Sequence, residues 1–187
     1  MNTTSLSLLQ RLQQPGDQAA WERFVKLYTP LLCHWARKLG LEGPDVADLV
    51  QEVCTILVRQ MPTFRYEPTK RFRAWLWTLT LNKRRQAWRG RPVPSAIPSE
   101  ALDALVGRDS LDELDEDEYR HCLVQRALQL MQTHFQPATW KAFWECAVAD
   151  RPVAEVAAEL GLSIDSVYAA KSRVLRRLRQ ELAGLLD

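Results

Sequence analysis

The sequence predicts an all-α fold of two small helical domains, and three observations lead to this prediction. Apolar residues recur every three or four positions through most of the 187 residues, which is the spacing of a helix with one buried face. Capping and breaking residues stand at the ends of these apolar stretches, where helices begin and end. No stretch of any length alternates apolar and polar residues in the manner of a half-buried strand.

The first 90 residues predict three helices. The first covers residues 17–39, because Asp17 is a suitable N-cap and Gly40 is a suitable stop. The second starts after Gly43 and Pro44 and ends near residue 61. Its apolar stripe consists of Val46, Leu49, Val50, Val53, Ile56 and Leu57.

A third helix is predicted at 71–89, after a loop at 62–71, and it interleaves aromatic and basic side chains. Unstacked bases bind aromatic rings and a DNA backbone binds cations, so this mixture suits single-stranded DNA. Trp75 is expected in the core. Trp77 and Trp88 lie on a different side of the helix, and we expect at least one of them to face DNA.

Charge divides the chain into three parts. Residues 1–90 carry 14 Lys and Arg against 7 Asp and Glu, residues 91–119 carry 2 against 9, and residues 120–187 carry 9 against 7. The Pro-rich and acidic segment 91–118 cannot bury enough apolar surface to offset the entropy of ordering, so we expect a flexible linker there. Arg outnumbers Lys by 19 to 6, and an Arg-rich surface suits a polyanion such as nucleic acid.

The last block, residues 119–187, predicts four helices. The first covers residues 119–134, and Pro137 and Pro152 each fit the first turn of a following helix. A long helix then extends to about Leu182.

The turn before this long helix is the clearest motif in the sequence. Gly161 stands where the backbone needs a residue that tolerates positive φ, Leu162 covers the turn, and Ser163 caps the last helix. A short helix, a glycine turn and a capped second helix are typical of a DNA-binding helix-turn-helix, in which the second helix enters the major groove. An ordinary helical hairpin with a solvated basic face is the structural alternative.

Several classes of protein are disfavoured by what the sequence lacks. The four cysteines form no CxxC pair, which argues against a zinc site or a disulfide framework. No stretch approaches the ~18 apolar residues of a membrane span, and the N-terminus has no secretory signal, so we expect a cytoplasmic protein without membrane insertion. The absence of a Gly-rich phosphate loop, a His-Glu metal motif and a nucleophile elbow argues against an enzyme, and no cofactor or metal is expected.

Three segments, in this order, resemble a bacterial RNA polymerase sigma factor of the extracytoplasmic-function (ECF) group of the sigma-70 family. DVADLVQEVCTILVRQM (45–61) is similar to the family's helix that docks on the clamp helices of the largest polymerase subunit. FRAWLWTLTLNKRRQAWR (72–89) is similar to its melting and minus-ten region, and LGLSIDSVYAAKSRVLRRLR (160–179) to its minus-thirty-five helix-turn-helix. The resemblance implies a region 2-like domain at 1–90 and a region 4-like domain at 119–187, joined by the linker 91–118.

The resemblance also implies which residues meet core polymerase. An acidic face on the helix at 45–61 is complementary to a basic groove, which aids encounter and register more than affinity. The residues that match the docking signature are Asp45, Asp48, Leu49, Gln51 and Glu52.

Two further sets of residues are implied as DNA contacts. The loop 62–71 matches the family's loop that captures a flipped minus-ten base, and the helix after it matches the melting region. The minus-ten candidates are Phe64, Arg65, Tyr66, Arg71, Arg73, Trp77, Asn82, Lys83, Arg84, Arg85 and Trp88. The minus-thirty-five candidates are Ser163, Ser166, Tyr168, Ala169, Lys171, Ser172, Arg173, Arg176 and Arg177.

The sequence departs from the family pattern in three places. Cys54 stands where the family usually has a bulky aromatic residue, and the linker is unusually acidic. The recognition helix often contains Thr-Val-Lys-Ser-Arg, whereas Ser166 to Ala170 here contains neither cation. Either Tyr168 and its neighbours contact different bases, or arginines further along the helix carry phosphate anchoring.

The partners implied by the resemblance are core RNA polymerase, through its clamp helices and flap, promoter DNA, and an anti-sigma factor. The alternative is a conventional helix-turn-helix regulator, which would bind a palindromic duplex as a dimer and need no polymerase. The helix at 45–61 discriminates between the two hypotheses, because only a sigma factor uses it to bind polymerase.

Overall fold

The computed structural model describes residues 8–64, 72–89 and 115–186, and the regular structure within them is helical. The all-α prediction is therefore confirmed. The helices are α1 (Leu8–Leu12), α2 (Gln18–Lys38), α3 (Pro44–Gln60), α4 (Phe72–Arg89), α5 (Glu116–Met131), α6 (Pro137–Ala147), α7 (Val153–Leu160) and α8 (Ile164–Glu181). Short 3₁₀ turns follow α3 and α5, at Met61–Thr63 and Gln132–His134.

The chain divides into two compact units. The N-terminal unit is Met1–Leu123 with Gly184–Asp187, and the C-terminal unit is Val124–Ala183. The boundary falls inside α5, so the first half of this helix packs with the N-terminal unit. Within the described residues, no helix combines the length and the apolar character that crossing a bilayer requires.

The predicted cap of α2 is confirmed. The Asp17 carboxylate accepts a hydrogen bond from the Ala20 amide at 3.0 Å, and the Arg11 guanidinium donates two hydrogen bonds to the same carboxylate, each 2.9 Å long. These bonds tie α1 to the start of α2. Helix α1 was absent from the sequence prediction, and its buried residues are Leu8, Leu9 and Leu12.

Helix α4 is the central helix of the N-terminal unit. Trp77 is only 1% exposed and packs edge-on against Trp35, with ring centroids 5.2 Å apart. The expectation that Trp77 lies on a DNA-facing side is therefore wrong. The physical reason is that α2, α3 and the start of α5 all pack against α4, so its first three turns have no free face. The buried Thr78 and Thr80 hydroxyls donate to carbonyls one turn earlier, at 2.9 and 2.8 Å.

Helix α5 begins at Glu116, within the segment expected to be linker. Asp115 caps it, because its carboxylate oxygen accepts hydrogen bonds from the amides of Asp117 and Glu118, at 2.9 and 3.0 Å. Acidic residues in a first helical turn also interact favourably with the helix dipole. The last residues of the acidic run therefore form the start of a helix. The rest of the expected linker, 91–114, lies outside the described residues.

The C-terminal unit contains the predicted helix-turn-helix. Gly161 has the left-handed conformation, with φ 64° and ψ 32°, and the Ser163 hydroxyl accepts from the Ser166 amide at the start of α8. Both predictions are confirmed. The core between α6, α7 and α8 is formed by small and branched residues: Ala142, Cys146, Val156, Ala157, Val167 and Ala170.

An ion network fixes α6 against α7 in this unit. Glu159 accepts from Lys141 and from Arg151, both at 2.8 Å, and Arg151 also donates to Glu145 at 3.0 Å. Hydrogen bonds from Lys141 and Arg151 lower the pKa of Glu159. These side chains are partly exposed, so their main effect is to set geometry.

Candidate functional site

Helix α3 presents the expected polymerase-docking residues on its solvent side. Asp45, Asp48, Gln51 and Glu52 are exposed, whereas Leu49 is buried at 5% exposure and helps to hold the helix on the core. The helix period explains this division, because positions three and four apart share a face. Val58 continues the exposed face one turn beyond Thr55 and is 54% exposed, although the sequence analysis did not select it.

Glu52 also has a partner within the unit. Its carboxylate lies 3.1 Å from the Lys83 ammonium, and the Lys83 side chain is only 12% exposed. One residue expected to bind polymerase is thus paired with one expected to bind DNA. Changes at Asp45 or Asp48 therefore test the exposed face of α3 without also affecting Lys83.

The basic cluster of α4 contains three different environments. Arg85 is exposed, whereas Lys83 is largely covered by its pair with Glu52. Arg84 is half-buried and lies against Gly40, just after the end of α2. A Cβ added to Gly40 would be 3.7 Å from Nη2 of Arg84. Only Arg85 of the three is displayed openly to a ligand.

Two amide side chains on α4 contain buried atoms without a hydrogen-bond partner among the described residues. These atoms are Nδ2 of Asn82 and Oε1 of Gln86, one helical turn apart. Asn82 was a sequence candidate, whereas Gln86 was not. Buried polar atoms normally find a partner, so this pair marks a polar spot beside the basic cluster.

Phe64 anchors the start of the expected base-capturing loop. Its carbonyl accepts a hydrogen bond from Gln13 at 2.6 Å, and its ring lies 4.7 Å from that of Trp75. The ring is therefore partly engaged in packing. Arg65, Tyr66 and Arg71 lie outside the described residues, as does the side chain of Trp88.

Arg73 is buried rather than displayed. It is 2% exposed, it pairs with Glu116, and its guanidinium lies 5.8 Å from the centre of the Tyr119 ring. Its Nη1 has no hydrogen-bond partner among the described residues. Arg73 can therefore reach DNA only if the start of α5 moves away.

The exposed face of α8 includes most of the minus-thirty-five candidates. Tyr168 is 54% exposed, and Ala169 and Ser172 are exposed near it on the helix. Ser163 and Ser166 are also exposed, but their hydroxyls bond to each other at 2.8 Å at the cap. Ile164, 49% exposed at the helix start, is an apolar surface residue that the sequence analysis missed.

Three arginines of α8 border a hollow of about 360 Å³, whereas Lys171 is half-buried outside it. The residues that line the hollow are His134, Phe135, Arg173, Arg176, Arg177 and Gln180. Arg177 pairs with Glu181 at 2.7 Å. Arg173 and Arg176 form no ion pair within the part of the chain that the structure describes, so their charge is available to an anion.

Helix α6 and the residue after it expose two apolar side chains, Trp144 and Val148, that no sequence motif indicated. Trp144 is 40% exposed and stacks on Trp140 at 6.1 Å, and Val148, one turn further, is 48% exposed. In the described ranges no group of three or more His, Cys, Asp or Glu could hold a metal ion. The exposed surfaces described above are acidic on α3, basic on α8 and partly aromatic on α6.

Comparison with known proteins assigns the family. The family model for sigma-70 region 2 matches residues 24–91, which contain α3 and α4. The RNA polymerase sigma-E factor of Streptomyces avermitilis is 30% identical over 168 residues, which are 89% of this chain and 87% of that protein. The chain belongs to the ECF group of sigma-70 family RNA polymerase sigma factors.

Two other relatives of this sigma factor cover a similar length. The RNA polymerase sigma-E factor of Streptomyces coelicolor is 27% identical over 170 residues, covering 90% of this chain and 89% of that protein. The RNA polymerase sigma factor CnrH of Cupriavidus metallidurans is 28% identical over 180 residues, covering 92% and 89%. Relatives of this kind support a role in promoter-specific transcription, and a conventional helix-turn-helix regulator is not favoured.

Proposed function

We propose that this sigma factor holds core RNA polymerase with the exposed face of α3. Asp45, Asp48 and Gln51 supply a polar and acidic surface, and Val58 supplies an apolar contact on the same helix. Charge complementarity would orient the two proteins, whereas the apolar contact would add affinity. The clamp helices of the largest subunit are the expected partner, and the flap is a second expected contact.

The minus-ten part of the promoter is assigned to the loop 62–71 and the far end of α4. Arg85 is the exposed cation there, and Asn82 with Gln86 supplies polar atoms that lack partners within the described chain. The loop residues Phe64, Arg65, Tyr66 and Arg71 stay predictions as base or phosphate contacts. Capture of a flipped base requires a few kcal/mol, which a close pocket can recover.

The minus-thirty-five part of the promoter is assigned to α8. Its N-terminal half would enter the major groove, where Tyr168, Ala169 and Ser172 are placed to contact base edges. Arg173 and Arg176, which lack ion pairs within the described residues, would anchor backbone phosphates.

Such a subunit would catalyse no reaction of its own. Strand opening follows if the protein binds the unpaired strand better than the duplex, because differential affinity shifts the equilibrium between the two. An anti-sigma factor that covers α3 or α8 would keep the protein inactive. Since a subunit that binds core polymerase and promoter DNA works where both are found, we expect this activity in the cytoplasm.

One observation carries the proposal: the acidic face of α3 is solvent-exposed in a chain that also displays a basic helix-turn-helix. The first feature fits a protein partner and the second fits duplex DNA, so the chain can connect the two. A regulator that acts without polymerase would not need the first feature.

Charge reversal on α3 tests this proposal. Asp45→Lys with Asp48→Lys should abolish co-elution with core polymerase, while the isolated chain keeps its affinity for upstream duplex DNA. Glu22→Lys, an exposed acid on α2, is the matched control, and Glu52 is left intact because its loss would also release Lys83. Polymerase binding unchanged by the double reversal would contradict the assignment of α3.

A further inference from the structure

The first half of α5, together with its cap, forms a strap on the N-terminal unit that begins with four acidic residues and continues with Tyr119. We define the strap as Asp115–Leu123. Glu116 pairs with Arg73, and Glu118 accepts from His34 at 2.7 Å and from Lys38 at 2.9 Å. The strap thus pairs with three side chains of the N-terminal unit that are able to bind an anion.

Between the two carboxylates, the strap inserts an aromatic ring. Tyr119 is fully buried and stacks on Trp35, with centroids 6.3 Å apart and planes 22° from parallel. The Arg73 guanidinium lies over the same ring. The Tyr119 hydroxyl lies 3.0 Å from the Tyr28 hydroxyl and donates to the Leu185 carbonyl at 3.0 Å.

The surface under the strap has the chemistry of a single-stranded DNA site. Such sites combine an aromatic platform for a base with cations that follow the backbone. Trp35 is a platform that the Tyr119 ring now occupies, while Arg73 and Lys38 meet carboxylates where phosphates could bind. The strap therefore imitates one stacked nucleotide with a negative charge on either side.

We propose that the strap covers a binding site for single-stranded DNA on the N-terminal unit, formed by Trp35, Arg73, His34 and Lys38. This inference rests on the proposed function, since a separated promoter strand is the DNA that would displace the strap. It adds Trp35, His34 and Lys38 to the DNA-binding residues and accounts for the burial of Arg73. Because only a separated strand would displace the strap, the site would be open only where the promoter DNA has melted.

The ion pairs that hold the strap are open to solvent, whereas the Tyr119 ring is fully buried, so the ion pairs are the contacts that a competing anion can reach first. The Glu116 side chain remains 44% exposed, and His34 and Lys38 are 45% and 40% exposed, so these ion pairs are weakened by solvent. While the strap is bound, Nη1 of Arg73 has no hydrogen-bond partner in the part of the chain that the structure describes. A phosphate offers several acceptor oxygens to a guanidinium, so Arg73 can be better satisfied by DNA than by one carboxylate.

Neutralising the strap should increase affinity for single-stranded DNA. We would measure binding of the full chain to a short, fluorescein-labelled oligonucleotide of mixed sequence by fluorescence anisotropy. Glu116→Gln with Glu118→Gln should tighten binding about threefold to tenfold, because the ion pairs of Glu116 with Arg73 and of Glu118 with His34 and Lys38 are lost from the competing state. Adding Arg73→Ala to this variant should remove the gain.

The matched control is Asp117→Asn, compared with each single Glu→Gln change. Asp117 lies on the same helix between the two glutamates, is exposed, and loses the same charge. It should leave affinity close to that of the parent chain. Equal affinities for Glu116→Gln, Glu118→Gln and Asp117→Asn would overturn the proposal, because general electrostatics would then explain any gain.

A second measurement follows the strap directly and uses the parent chain. Hydrogen exchange at the amides of residues 119–123 should accelerate when the oligonucleotide is added and should be unchanged by duplex DNA of the same length. Unchanged protection with bound oligonucleotide would overturn displacement even if the glutamate variants fold poorly. Neither experiment needs polymerase. A failure to bind polymerase would therefore contradict the proposed function without deciding whether the strap covers a site for single-stranded DNA.

Discussion

Two cations of α4 and two cations of α8, one helix from each unit, are in opposite states. In the N-terminal unit, Arg73 is paired with Glu116 and Lys83 with Glu52, and both cations are largely buried. In the C-terminal unit, Arg173 and Arg176 border an open hollow and form no ion pair among the described residues. Similar sequence motifs, aromatic or apolar residues interleaved with arginine, therefore give a covered surface in one unit and a displayed surface in the other.

This difference suggests an order of events in promoter binding. Displayed charge supports fast, salt-sensitive contact with duplex DNA, which is present from the start. Covered charge must first lose its internal partners, so it suits a ligand that appears later, such as a separated strand. Variants in each unit can test whether the covered and the displayed cations act in this way.

The largest expected effect comes from the buried aromatic core of the N-terminal unit. Trp77→Ala should destabilise that unit by about 3–5 kcal/mol, the usual range for removing a large buried ring. Denaturant unfolding monitored by circular dichroism would measure the loss. Trp144→Ala, at a 40% exposed position of α6, should change stability far less. If Trp77→Ala were instead stable and defective only in binding single-stranded DNA, the original expectation that Trp77 contacts DNA would be correct.

The displayed arginines of α8 should give the next largest effect. Arg173→Ala or Arg176→Ala should each weaken binding to upstream duplex DNA by about tenfold, and each should reduce the slope of log affinity against log salt by about one. Titrations at several salt concentrations would measure both quantities. Arg126→Ala on α5 removes the same charge away from the hollow and should keep the parent slope. Parent slopes in the α8 variants would move the phosphate contacts elsewhere.

The smallest expected effect concerns the ion network that holds α6 against α7. Hydrogen bonds from Lys141 and Arg151 lower the pKa of Glu159 in the folded protein. A group with a lowered folded pKa stabilises the protein above its unfolded pKa, and this stabilisation is lost as the pH falls through the folded value. Thermal melts across the acidic range should therefore show a smaller decline for Glu159→Gln than for the parent. Glu155→Gln, an exposed acid on the same helix, should retain the parent decline.

Local rules of helix chemistry predicted much of the fold from sequence. The caps at Asp17 and Ser163 and the left-handed turn at Gly161 follow from the residue alone, because each depends on a side chain or φ value at one position. The period of α3 likewise separates exposed Asp48 from buried Val53.

The features that sequence reasoning missed depend on contacts between distant segments. Trp77 is buried because several helices surround α4, and a single helical period cannot reveal how many neighbours a helix has. The acidic run at 109–118 has a linker's composition, yet Asp115 caps a helix and Tyr119 inserts beside Trp35. No local pattern in the sequence indicates that Glu116 will pair with Arg73, since the two residues are 43 positions apart.

Reconstituted initiation would show whether this protein directs core RNA polymerase to promoters. Purified core RNA polymerase would be incubated with a promoter library, with and without this protein, and the transcript starts would be sequenced. With the protein present, polymerase should give new starts at defined sites with shared elements upstream, and these starts should be lost in the Asp45→Lys, Asp48→Lys variant. Transcripts without defined starts, or starts unaffected by that variant, would contradict this prediction.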